Sequence, residues 1–151
     1  MADIEQLVPL FDGYRQFYRK PSDPTGASAF LTARLRRGEA VVFVAEAQYG
    51  ASGTAAPGNA VGFTLLYPLF SSVRMAPVWL LNDLFVDAAA RRQGIGEALL
   101  GAADRFARGA GAAGLELATE KDNAAAKSVY ERLGWSLQED FDHYSLDLTT
   151  P

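Results

Sequence analysis

The sequence predicts an α/β domain with helices on both faces of a mixed sheet, three layers in all. Three observations lead there. Val78–Val86 is an apolar strand followed at once by a glycine-rich turn and an amphipathic helix. Ala40–Ala45 and Ala60–Tyr67 are two further buried-strand runs joined only by a loop, so hairpin and parallel connections are mixed. Helical stripes stand before and between the strands.

Taken in order, Ile4, Leu7, Val8, Phe11, Tyr14 and Tyr18 form the first helical stripe, broken at Pro21-Ser22-Asp23-Pro24. A second helix is expected from about Ala27 to Arg37, ending at Gly38. The two strands follow, linked by a Gly/Ala/Ser/Pro-rich stretch, Tyr49–Asn59, that reads as a long mobile hairpin loop. Pro68–Pro77 reads as another loop. After the Val78–Val86 strand, Ile95, Leu99, Ala102, Ala103 and Phe106 share one face of a helix over about Gly94–Arg108. Leu115–Thr119 reads as a short strand. Asn123 reads as the N-cap of a helix closed by Gly134, and Trp135–Leu137 with Phe141–Leu148 as a final strand pair.

Composition narrows the function. A chain of 151 residues, 49% apolar and 21% charged, fits one ordered domain able to bury a core. A net charge of -4 argues against a general binder of nucleic acid or of anionic membrane. The absence of cysteine removes disulfides, thiolate metal sites and a cysteine nucleophile, and fits a reducing compartment. No leader and no bilayer-length apolar run is seen, so the cytoplasm is the expected location and no metal is expected.

The chemistry concentrates at Arg91-Arg92-Gln93-Gly94-Ile95-Gly96. Glycines at a strand-to-helix turn let backbone N–H groups approach a diphosphate, and the helix dipole favours the anion. Two arginines add fixed positive charge. No Gly-Lys-Ser/Thr follows, so the turn is not a P-loop, and Leu99 stands where a dinucleotide fingerprint needs its third glycine. The plain alternative is a strand-to-helix turn with surface arginines.

A second stretch decides between them. Leu84-Phe85-Val86 through Arg91-Arg92-Gln93-Gly94-Ile95-Gly96-Glu97-Ala98-Leu99-Leu100 resembles the acetyl-CoA motif of the GNAT superfamily of N-acetyltransferases. About 27 residues past Gly96, Asn123 to Gly134-Trp135 resembles that family's second motif. The resemblance implies a mostly antiparallel, mixed sheet of six to seven strands with a splay after the fourth. It implies acetyl-CoA as cosubstrate, with its diphosphate on Arg91, Arg92 and the Gln93, Gly94, Ile95, Gly96, Glu97 turn. The pantetheine arm would bond the strand edge Leu84, Phe85 and Val86, splayed from the next parallel strand and re-aimed by a β-bulge. It also implies Asn123 on the cofactor arm and Tyr130 as the acid that protonates the departing sulfur. Those two lie seven residues apart, on one helix face and about 10 Å from each other. Packing near Trp135 is the alternative for Tyr130, and simple capping the alternative for Asn123.

The acceptor end is less determined. Leu81-Asn82-Asp83-Leu84-Phe85-Val86 resembles the Leu-Glu-Asp-aromatic-aromatic-Val segment of diamine and polyamine acetyltransferases, with Asn82 in place of their glutamate. An amide is no base near neutrality, so Asn82 is a candidate water-positioning residue and Asp83 a candidate base or anchor. Period-two geometry sets Asp83 opposite Asn82 unless a bulge turns it, and Asp83 is equally readable as structural. Glu120 is a weaker candidate base, and an ordered water chain removes the need for one. Tyr14, Phe17, Tyr18, Tyr67 and Phe70 are candidate pocket aromatics, although such spacing usually means core. The acidic Glu139, Asp140 and Asp142 suit a cationic acceptor or a solvated loop. His143 reads as a surface residue. The expectation is transfer to a small-molecule primary amine by a homodimer, with no nucleic-acid or membrane partner. A CoA-binding sensor without transfer and a protein-lysine acetyltransferase are the alternatives.

Overall fold

The structure, a computed structural model, describes residues 4–47 and 59–149. The chain forms two compact units, Met1–Ala118 and Thr119–Pro151.

In the first unit, helix α1 spans Ile4–Phe17 and helix α2 spans Pro24–Arg36. α2 begins three residues before the expected Ala27, because Pro24 is no breaker here. Its fixed φ suits the first helical position, and Asp23 caps the end by accepting from Gly26 N at 2.9 Å. Strands β1 (Val41–Ala47), β2 (Asn59–Ser71), β3 (Ala76–Val86) and β4 (Gly114–Glu116) lie side by side in that order. The first two pairings are antiparallel and β3–β4 is parallel, so the sheet is mixed and mostly antiparallel. The mobile loop expected over Tyr49–Asn59 lies outside the described residues, apart from Asn59.

β2 and β3 run longer than their apolar cores. Pro68 is paired with Trp79 inside β2, so most of the loop expected over Pro68–Pro77 is strand. β1 pairs with β2 only as far as Leu66, so Pro68 lies in a stretch where β2 has no ladder on its β1 side. The turn shrinks to residues 72–75, with Met75 at φ 48°.

Side chains alternate between the faces. Phe63 and Leu65 pack with Leu7, Leu10 and Phe11 of α1 and Leu31 of α2. Helix α3 (Ile95–Gly109) covers the other face, its Phe106 ring 5.6 Å from Phe43 and 4.9 Å from Trp79. Helices thus lie on both faces, as expected. Burial of each such Leu or Phe contributes about 1.5–3 kcal/mol.

In the second unit, α4 spans Ala124–Arg132. Asn123 caps it by accepting from Ala126 N, and Gly134 closes it at φ 89° with Trp135 N donating to Tyr130 O at 3.0 Å. The expected strands Trp135–Leu137 and Phe141–Leu148 are absent, and residues 135–149 hold neither helix nor strand. The described residues therefore form a four-stranded sheet, not one of six to seven. Alternating Tyr144, Leu146 and Leu148 specify which side chains share a face, but a strand also needs a backbone partner, and these side chains stand exposed.

Candidate active site

Two left-handed residues shape the turn after β3. Asp87 caps a single 3₁₀ turn at Ala88–Ala90, accepting from Ala89 N at 3.0 Å. Arg91 is extended, Arg92 takes φ 62° and Gly94 takes φ 76°, and α3 then begins at Ile95. A non-glycine residue held there costs about 1–3 kcal/mol, and such strain gathers at ligand clamps.

Gly94, as N-cap, supplies no side-chain bond to α3. The first helical bond of α3 is Ala98 N to Gly94 O at 2.9 Å, so the N–H groups of Ile95 and Gly96 precede the helical ladder. A Cβ on Gly94 or Gly96 would meet nothing within 4 Å, so the space beside the turn is open. Open N–H groups, a helix dipole and nearby arginine are what a diphosphate requires, and the residues present fit one. The two arginines divide the work. Arg91 donates from Nε to Val86 O at 3.1 Å and sits 6.0 Å from the Phe85 ring centroid, so it clasps the end of β3. Arg92 is exposed beside the turn.

β3 itself is bulged. Leu66 faces Leu81 and Leu65 faces Asp83, which leaves Asn82 as the extra residue. The expected bulge is real, but it lies ahead of Leu84–Val86. It turns Asp83 onto the face of its partner Leu65, toward α1. β4 pairs with β3 only over Val78–Leu80, and no described strand continues that ladder along Leu84, Phe85 and Val86.

Asp83 is 3% exposed, and burial pushes its carboxyl above the ordinary range, opposed by hydrogen bonds from Tyr14 and Asn82. Burial, then Asp83, raise Tyr14 and Tyr67 in turn, so both phenols stay protonated. The Tyr14 ring is held among Tyr18 at 5.1 Å, Phe63 at 6.1 Å and Phe85 at 6.4 Å. Of the aromatics singled out from sequence, Tyr14, Tyr18 and Tyr67 therefore gather around Asp83 and Tyr14. Phe17 joins only through Tyr18, and Phe70 stands 82% exposed toward the hairpin tip. Sequence reading missed Thr64, whose buried hydroxyl donates to Asp83 O at 2.9 Å. Its signal was a lone hydroxyl in the apolar run Val61–Leu66.

In the second unit, Asn123 caps α4, and the Tyr130 ring lies 6.1 Å from Trp135. Capping and packing are thus both present. Glu120, Glu139, Asp140, Asp142 and His143 are exposed. Among the described residues, no group of three or more His, Cys, Asp or Glu is placed to hold a metal ion. None of the described helices is long and apolar enough to cross a membrane.

Fold and turn together define the class of α/β domains whose strand-to-helix turn opens a helix N-terminus to a diphosphate. Comparison with known proteins makes this specific. The family model described as acetyltransferase (GNAT) family matches residues 7–135. An uncharacterized N-acetyltransferase of Bacillus subtilis (strain 168), YhfO, is 45% identical over 97% of this chain and 93% of its own length. The crystal structure of a probable acetyltransferase superposes with a TM-score of 0.85 at 37% identity, over 98% of this chain and 93% of that one. A metagenomic aminoglycoside acetyltransferase in complex with sisomicin gives a TM-score of 0.75 at 25% identity, over 97% and 90%. The chain belongs to the GNAT family and is an acetyl-CoA-dependent acyltransferase.

Proposed function

We propose that the protein transfers an acetyl group from acetyl-CoA directly to a primary amine of a small cationic acceptor: a polyamine, a diamine or an amino acid. The observation that carries this reading is Asp83, a buried carboxylate at a bulge, flanked by Tyr14 and Tyr67 on the strand that leads to the cradle. A carboxylate among phenols attracts a cation and favours its entry. Similarity to an aminoglycoside acetyltransferase supports an amine-bearing acceptor. A single family model that runs from the first unit into the second, over residues 7–135, supports one transferase domain. A net charge of -4 favours a cationic small molecule over nucleic acid or an anionic membrane, and a cytoplasmic homodimer completes the reading.

In this mechanism the diphosphate rests on the N–H groups of the Gln93–Glu97 turn with Arg92 beside it. The pantetheine arm reaches back along Leu84–Val86, which brings the thioester toward Asn82 and Asp83. The acceptor nitrogen loses a proton to water and its lone pair attacks the thioester carbonyl. Backbone N–H groups at the strand edge hold the developing oxyanion. Collapse breaks the carbon–sulfur bond, and the nitrogen gives up its second proton to leave a neutral amide, which balances the proton the CoA thiolate takes up. By the motif they occupy, Asn123 is assigned to the cofactor arm and Tyr130 to the proton taken up by the CoA thiolate.

Thiol release with putrescine, spermidine, lysine and sisomicin tests the reading; activity on none of them defeats it. Tyr130→Phe is expected to lower kcat about 10²-fold, the low end for a proton donor, and to leave acetyl-CoA affinity intact. Wild-type turnover in that variant assigns Tyr130 to packing against Trp135.

A further inference from the structure

The bulge does more than turn Asp83 inward, because it sets a second polar group beside it with the opposite exposure. Asn82 has no cross-strand partner and is exposed, while Asp83 is 3% exposed. Between them runs one hydrogen bond, Asn82 Nδ2 to Asp83 Oδ1 at 2.9 Å. An ionised carboxylate only accepts, so the carboxamide must face it with its NH2. The carbonyl oxygen of Asn82 is thereby turned away from Asp83. Asp83 is itself held from two sides. Thr64 Oγ1 grips its backbone carbonyl from β2 at 2.9 Å, and Tyr14 of α1 bonds its carboxylate. The chain of support thus runs from two core elements through a buried carboxylate to an exposed amide.

We propose that Asn82 is the residue that touches the acceptor, its Oδ1 accepting an N–H of the incoming amine, and that Asp83 is a positioning residue acting through it. This rests on the amine-transfer reading above and names the atom that reads the substrate. Asp83 is too deeply buried to meet a substrate nitrogen directly. A neutral amide oxygen also suits the reaction. It holds an ammonium or a free amine, whereas a carboxylate in contact would stabilise the ammonium and oppose loss of its proton. The ligand class is therefore a primary amine whose N–H is read by an uncharged acceptor, with the carboxylate one residue behind.

Two measurements test this. The first needs no acceptor: the side-chain NH2 resonances of Asn82 in a ¹⁵N-edited NMR spectrum, assigned by their loss in Asn82→Ala. They are expected to shift clearly in Asp83→Asn; an unchanged pair overturns the positioning role. The second is steady-state kinetics with putrescine, spermidine and sisomicin. Asn82→Ala and Asp83→Asn are each expected to raise the KM for the amine about tenfold while kcat stays within about threefold. Acetyl-CoA affinity by calorimetry should stay within about twofold. Asn82 is exposed, so its alanine variant is expected to fold and keeps the test decisive if Asp83→Asn does not. An unchanged amine KM in Asn82→Ala, or a fall in kcat alone, overturns the assignment while leaving amine acetylation standing. If the wild-type protein acetylates neither these three nor lysine, the amine reading falls and takes this assignment with it.

Discussion

The α1–α2 junction and the end of β3 use the same chemical parts to opposite ends. Each has a buried aspartate and a helix N-terminus. At the junction, Asp12 is 5% exposed and has four donors: Ser22 Oγ at 2.7 Å, Asp23 N at 2.8 Å, Gln16 Nε2 at 2.9 Å and Arg15 Nη1 at 3.5 Å. These bonds, led by Ser22, hold its carboxyl below the ordinary range despite burial. Asp23 caps α2 in the same stretch. At the end of β3, Asp83 has two side-chain donors, and burial outweighs them. α3 starts at a glycine with no side-chain cap. The junction saturates its polar groups internally and serves as a fastening. The end of β3 leaves an open cradle and an exposed amide, and that is where a ligand has something to gain.

The widest separation between the regions is expected from the cradle. Gly96→Leu meets no neighbour in the free protein, so it should fold, yet its side chain fills the space the diphosphate needs. Acetyl-CoA Kd should rise about 100-fold or more, the loss of two charge-assisted bonds of about 1.5–3 kcal/mol each. Unchanged affinity by calorimetry in the folded variant would remove the functional half of the comparison.

Arg92→Ala should weaken acetyl-CoA about tenfold, roughly 1.4 kcal/mol, as one charge-assisted contact is lost. Arg91→Ala should instead loosen the end of β3, lowering the unfolding midpoint, because its Nε holds Val86 O. An exchange of these two outcomes would reverse the division of labour between the arginines.

Asp23→Ala removes the cap of α2 and should cost about 0.5–2 kcal/mol of stability, with acetyl-CoA affinity unchanged. Asp12→Asn should likewise lower the unfolding midpoint and leave the kinetics alone. A rise in amine KM in either variant would show that the junction is not merely a fastening.

The smallest effect is a difference in the sign of pH dependence. Asp12 lies below its unfolded value of 3.8, so its contribution is fully present above that value and is lost as pH falls through the folded one. Asp83 lies above 3.8, so its contribution is greatest below that value and declines as pH rises through the folded one. Unfolding midpoints from about pH 3 to pH 6, wild type minus each Asn variant, should rise with pH below 3.8 and then level off for Asp12, and should fall with pH above 3.8 for Asp83. Parallel slopes would mean that the two carboxylates are not opposites.

What the sequence determined by itself is what lies along one stretch of backbone. The periodicity of Leu99 to Phe106 made a helix, the glycines at 94 and 134 marked left-handed turns, and Asn123 marked a cap, because each is a property of a few consecutive residues. Two motifs at fixed spacing carried the family for the same reason. Only the tertiary structure decided where the bulge falls, since register is a relation between Leu65–Leu66 and Leu81–Asp83 across 15 or more residues. It also decided that Arg91 is held by Val86, that Thr64 and Tyr14 hold Asp83, and that the apolar alternation from Tyr144 to Leu148 has no described strand partner. Desolvation and strand pairing depend on neighbours far away in the chain, and a local pattern cannot name them.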